Sequence, residues 1–380
     1  MKASHIYCGL MMLWLLPSCT EPFSPKIDDA QHLVVVDGRL TNGPGPYVVK
    51  LALSANLTIT NYDPISFAEV YIREEGGDRH LLEEVVAGEY HSDSASFRGE
   101  AGKSYRLEIT LSNGKEYQSP YEFLRKGTKI DTVSVKPEIY YFDELQREIP
   151  GYQFYVSSEA ADQGNDYFIW IMEGTYKYTA DYPIYFVWRG FLADFPEPYA
   201  YYTCWRTYPV EEFVTANTTN LSEARVLDKP LFFLRGDDKK LSFRYSLLTR
   251  QLAVSKDAYE FWDGVRQQSA SSTSLYNVQP YLLQGNMNNI EDSKEPVLGY
   301  FLVAGEEEQR IFVNKPTSFP VTYAQCGLDY DGYRWIFGEP SSSWPIYITI
   351  GDEGRAISGA GCLDCQQIGG KLSPPDWWIE

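Results

Sequence analysis

Residues 31 to 126 carry the pattern that constrains the fold most. Short runs of β-branched and aromatic residues are broken by turn signals at intervals of about 8 to 12 residues. His32-Leu33-Val34-Val35-Val36-Asp37-Gly38-Arg39-Leu40 ends in the polar turn Thr41-Asn42-Gly43-Pro44-Gly45, and Tyr47-Val48-Val49-Lys50-Leu51-Ala52-Leu53 follows. Residues 68–73 and 105–111 alternate apolar and polar side chains. Successive side chains of a strand point to opposite faces, so this alternation buries one face and wets the other. Asn113-Gly114 joins 105–111 to the run at 115–119, and Asn-Gly tolerates the positive φ of a tight hairpin turn. The pattern predicts an immunoglobulin-like or transthyretin-like β-sandwich over residues 31–126.

From Gly127 onward the sequence predicts a larger β-rich domain, residues 127–380. Strand runs stand at 130–135, 152–157, 167–172, 297–303 and 309–313. One helix is expected at about 255–268: Ser255 can cap it, Asp257 lies in its first turn, and Tyr259, Trp262 and Val265 share helical spacing. With 30 Tyr, 29 Gly and 22 Pro among 380 residues, the composition favours strands and turns over helical bundles. The expected fold class is mainly β.

The N-terminus predicts export. Met1-Lys2 precedes an apolar run from Ile6 to Leu16, then Pro17-Ser18-Cys19. One positive charge before a short apolar stretch is the pattern of a signal peptide, residues 1–18. Leu16-Pro17-Ser18-Cys19 resembles a lipobox, with Pro17 departing from the usual small residue. Cys19 is the expected lipidation site, and residues 19–30 read as a tether of at most about 40 Å. No later segment approaches the roughly 18 apolar residues of a spanning helix, so the expectation is a chain anchored to a membrane through Cys19. The formal net charge is -19, which argues against nucleic acid as a partner, because that binding draws on clustered Lys and Arg.

Cys8 leaves with the signal peptide, so the mature chain keeps Cys204, Cys326, Cys362 and Cys365 beside Cys19. Four cysteines in an exported protein predict two disulfides, with three possible connectivities. Cys362-Leu363-Asp364-Cys365 also admits half of a zinc site or a redox pair. No His-Glu-x-x-His, Gly-x-Ser-x-Gly or phosphate-cradling motif occurs. The sequence therefore nominates no catalytic residue, metal ligand or cofactor. Acidic residues are plentiful, but without geometry no hydrolytic carboxylate pair can be named. The aromatic stretch 182–205 has two readings. Tyr185, Trp188, Tyr199 and Tyr201 are candidate partner contacts, since Tyr and Trp anchor interfaces. Alternatively the stretch fills the core and braces a disulfide at Cys204.

Several segments together resemble a known family. They are Cys19-Thr20-Glu21-Pro22-Phe23, Leu33-Val34-Val35-Val36-Asp37-Gly38 running into 45–51, Ser255–Trp262, Gln284-Gly285-Asn286-Met287 with 295–301, and the end from Cys362 to Trp378. They are similar to domain-of-unknown-function family 4249, Bacteroidetes-type lipoproteins often encoded beside SusC-like TonB-dependent receptors. The resemblance implies an outer-membrane lipoprotein, at the cell surface rather than the periplasmic face. It would be a non-enzymatic accessory of such a receptor in substrate capture or uptake. A surface adhesin or structural module, and a secreted hydrolase, are the alternative readings.

Overall fold

The structure, a computed structural model, describes residues 33–54, 63–159, 167–221, 223, 225–271 and 283–380. The predicted signal peptide, Cys19 and the 19–30 tether lie outside the described residues. As expected, the chain is mainly β. One hydrogen-bonded path of strands runs through most of it and contributes to two large cores.

The first core forms where the alternating pattern predicts it. Val34–Thr41 pairs antiparallel with Val48–Leu53, with Val36 opposite Leu51. The path continues through Glu89–Ser92, Arg79–Val86, Glu69–Glu74 and Ser104–Thr110 to Glu116–Gln118. Val36, Val49, Val70, Leu82, Leu107 and Tyr117 are spread along this path yet bury in one cluster. The sheet therefore folds back over itself as a sandwich. The Asn113-Gly114 turn is present, with Gly114 at φ 86° and its N–H donating to the Leu111 carbonyl at 2.9 Å.

The second core packs sheet on sheet. Tyr167–Thr179 is flanked by Arg244–Ala253 on one edge and by Thr203–Pro209 and Val214–Asn217 on the other. A separate three-stranded sheet of Ile130–Phe142, Arg147–Ser158 and Lys229–Arg235 supplies the opposing layer. Phe154 and Phe232 of that sheet stack at 5.0 Å, and Phe154 meets Tyr245 of the large sheet at 5.9 Å.

One strand of 17 residues, Leu298–Asn314, belongs to both cores. Its first half runs parallel to Val34–Thr41, from Val35 opposite Leu298 to Thr41 opposite Ala304. Its second half runs antiparallel to Arg244–Ala253, from Ala253 opposite Gly305 to Arg244 opposite Asn314. Phe301 and Val303 bury in the first core and Val313 in the second, with the partly buried Ile311 packed against it. Tyr300, Leu302 and Ala304 point to the other face and form a third, smaller cluster. The sequence reads as two strand runs here because Glu306-Glu307-Glu308 interrupt the apolar pattern. Gly299 makes the parallel pairing possible. It sits at φ 83°, and a Cβ there would lie 1.9 Å from the Val36 carbonyl oxygen. Met287 and Val297 also bury in the first core, and Asn288–Asn289 pairs with Tyr117 and Gln118. Residues from the C-terminal half thus complete the sandwich.

The expected helix spans Lys256–Ser271. Ser255 Oγ accepts from the Ala258 N–H at 3.1 Å, which is the predicted cap. Ala258, Tyr259, Phe261 and Trp262 cover the third cluster. Among the described residues no helix is long and apolar enough to cross a membrane.

The helix start, the first sandwich and the shared strand meet at one buried carboxylate. Glu122 accepts from the Tyr300 hydroxyl at 2.7 Å and from Asn286 Nδ2 at 3.3 Å, with Ser255 Oγ at 3.4 Å. Burial raises its pKa above the ordinary glutamate value of 4.5, and these hydrogen bonds oppose the rise without cancelling it. A raised folded-state pKa means the folded protein holds this proton more tightly than the unfolded chain. The resulting stabilisation is complete below the ordinary glutamate range and is lost as pH rises through the folded value. Glu122→Gln keeps the size and abolishes the titration. Its stability relative to the parent, read from urea midpoints, should therefore increase between about pH 4 and pH 8. A difference that stays flat or shrinks over that range would contradict the placement of a strained charge at Glu122.

Candidate functional site

The clearest built feature outside the cores is an aromatic module at the end of the large sheet, and cysteines hold it there. Cys204 lies on the edge strand Thr203–Pro209, fully buried, and pairs with Cys365. Cys326 pairs with Cys362. Both predicted disulfides therefore form. The two cysteines of Cys362-Leu363-Asp364-Cys365 bond to different partners, which removes the redox-pair reading. All four sulfurs are consumed, which removes the four-cysteine zinc reading. Asp181 approaches the Cys326 and Cys362 sulfurs. Its carboxylate is engaged by Lys239 Nζ and by the Cys326 N–H at 2.8 Å.

Hydrogen bonds make the attachment rigid. The N–H groups of Asp181 and Tyr182 both donate to the Cys362 carbonyl, at 2.9 and 3.1 Å. The Tyr182 hydroxyl donates to the Cys326 carbonyl at 2.7 Å, and the Tyr178 hydroxyl to the Cys365 carbonyl at 2.5 Å. Trp205 and Lys371 exchange backbone hydrogen bonds, each of 2.9 Å. Gly370 is required beside them, since a Cβ there would lie 2.6 Å from Cys204 Cβ and 2.3 Å from the Tyr178 oxygen.

The aromatic stretch 182–205 contributes a hairpin to a four-stranded sheet. Phe186–Trp188 and Leu192–Asp194 form a hairpin, and Phe186–Trp188 also pairs with Ile346–Gly351, which pairs with Gly354–Ala356. Val187 stands opposite Tyr347 and Trp188 opposite Ile346. Tyr347 and Trp188 therefore face opposite sides of this sheet. On one side Trp188 packs against Phe337 at 4.9 Å and Trp344 at 6.4 Å. On the other, Tyr347 meets Phe195 at 5.8 Å and Tyr201 at 6.1 Å.

The four nominated contact residues are thus not one patch. Tyr185, Trp188 and Tyr201 are half-buried, and the last two brace opposite faces. Only Tyr199, 62% exposed, stands free enough to meet a partner with most of its ring. The structure adds three that sequence reasoning missed: Phe191 at the hairpin tip, and Trp335 and Phe337 on the turns beside Trp188, exposed 66%, 76% and 48%. Exposed rings of this size mark contact sites when they cluster. The available signal was Tyr333-Arg334-Trp335-Ile336-Phe337, an aromatic run beside turn residues. Cys19 lies outside the described residues.

A family model described as a domain of unknown function, DUF4249, matches residues 20–310. The chain belongs to that family. The match takes in Cys204, the helix and most of the shared strand. It stops before Cys326, Cys362 and Cys365, so the C-terminal part of the aromatic module lies beyond the matched DUF4249 residues. No curated protein matches the chain.

Mass mapping under non-reducing conditions should recover the Cys204–Cys365 and Cys326–Cys362 peptides. Cys326→Ser should cost about 2–4 kcal/mol of stability. A crosslinked Cys362–Cys365 peptide, or a free thiol at Cys204, would contradict the module as described.

Proposed function

We propose that this protein is a lipid-anchored accessory of an outer-membrane TonB-dependent receptor, held through Cys19 and acting in substrate capture or uptake without catalysis of its own. The observation that carries the reading is the aromatic module. It presents Phe191, Tyr199, Trp335 and Phe337 outward from a support fastened by two disulfides. Rings already held in place lose little entropy when a partner covers them. Membership of DUF4249 and the lipobox-like Leu16-Pro17-Ser18-Cys19 support the same reading. A short tether at 19–30 keeps the chain beside its partner, so each contact can be weak and still hold.

The test is co-purification from native membranes in mild detergent. The parent should carry acyl mass at Cys19 and bring a receptor-sized barrel with it. Cys19→Ala should leave the membrane fraction. Trp335→Ala with Tyr199→Ala should weaken receptor recovery at unchanged Tm. A parent that migrates without a receptor, and whose deletion leaves TonB-dependent uptake intact, would sink the proposal.

A further inference from the structure

Beside the third cluster, on the face of the shared strand turned away from the two large cores, lies a cleft of about 540 Å³, within the usual range of small-molecule sites. Its floor is the outer face of the shared strand and its neighbours. Leu302 stands opposite Arg39 across one pairing, and Ile169 and Ile171 stand opposite Leu252 and Arg250 across another. Phe213 and Trp262 add aromatic walls.

Three of the six charges lining the cleft are already engaged. Arg250 pairs with Glu306 at 3.1 Å and Lys50 with Glu89 at 3.2 Å, while Glu211 lies exposed on the rim. Asp37 and Arg39 differ. They sit two residues apart on Val34–Thr41, on the same face, and no described residue hydrogen-bonds or ion-pairs with either side chain. Arg39 is half-buried, and Asp37 is exposed on the cleft wall. Partial desolvation by the surrounding protein nonetheless raises the Asp37 carboxyl above the usual range, against the pull of Arg39 and Lys50. Desolvation likewise lowers the Arg39 guanidinium, against Glu306. Each charge faces the cleft without a described partner and would gain from a counter-charge.

We propose that this cleft binds an apolar dipeptide as a zwitterion, its ammonium on Asp37 and its carboxylate on Arg39. Three observations select this class. A lone anion would meet Asp37, Glu211 and the field of a chain with net charge -19, and a lone cation would meet Arg39. A zwitterion satisfies both free charges and leaves the net charge of the cleft unchanged. Alternate residues of a strand lie about 6.6 Å apart, close to the roughly 7 Å that an extended two-residue peptide spans. Ile171, Val210, Phe213 and Trp262 line the same cleft and are only half-buried, so they offer apolar surface that two ligand side chains can cover. The inference stands apart from the receptor reading, because it needs only the purified chain.

The experiment is titration calorimetry of the purified full chain with Leu-Phe, with the same dipeptide acetylated and amidated, and with free phenylalanine. Leu-Phe should bind, and the neutral form should bind at least about tenfold more weakly. Asp37→Asn and Arg39→Gln, checked for fold by circular dichroism, should each weaken Leu-Phe by about tenfold or more. The neutral-ligand comparison uses the parent protein, so it holds even if a variant fails to fold. No binding of Leu-Phe, equal binding of the neutral form, or equal binding of free phenylalanine would overturn the proposal.

Discussion

The strand Leu298–Asn314 is the interaction on which the rest of the architecture depends. It is hydrogen-bonded on one edge over its first half and on the opposite edge over its second half. It also alternates its side chains between the large cores and the third cluster. Each sheet therefore ends on one half of this strand, and where the other edge is buried its backbone groups find other partners, as Phe301 does in exchanging hydrogen bonds with the Asn286 side chain. The two cores share one strand, and the cleft lies on that strand's outer face where it changes partners, lined by Leu302 and Glu306. The Asp37 and Arg39 side chains project from the strand that its first half pairs with.

The aromatic module is secured by different physics. It lies at the far edge of the large sheet, where an unpaired strand invites unwanted pairing. Here the Cys204–Cys365 bond and the Trp205–Lys371 hydrogen bonds cover that edge. A small element with little core of its own gains most from crosslinks, because they reduce the freedom of the unfolded chain. The exposed rings of Phe191 and Trp335 therefore stand on a fastened support, while apolar burial stabilises the two main cores.

Much of this was legible in the residues. The alternation at 68–73 and 105–111, the Asn113-Gly114 turn and the Ser255 cap are local signals, and each appears where its local chemistry demands. The even cysteine count implied two disulfides, but pairing depends on which chain segments meet in space, and spacing carries no such information. The shared strand was half hidden, since Glu306-Glu307-Glu308 face solvent and salt partners at the point where the strand leaves one core for the other. The aromatic stretch was visible as composition. Which ring braces and which is exposed depended on the register of Val187 against Tyr347, a long-range pairing. Asp37 and Arg39 lie in the run 32–40, which the sequence marks as a strand without singling either residue out. That they lack partners required the far wall of the cleft.

Native-state hydrogen exchange under non-reducing conditions with increasing denaturant tests the shared-strand architecture most directly. If Leu298–Asn314 welds the cores, the slowest amides of Val36–Leu40 and of Tyr245–Leu252 should merge into one global opening with a common free energy and denaturant dependence. Two separate openings, with one core exchanging fully while the other stays protected, would contradict it.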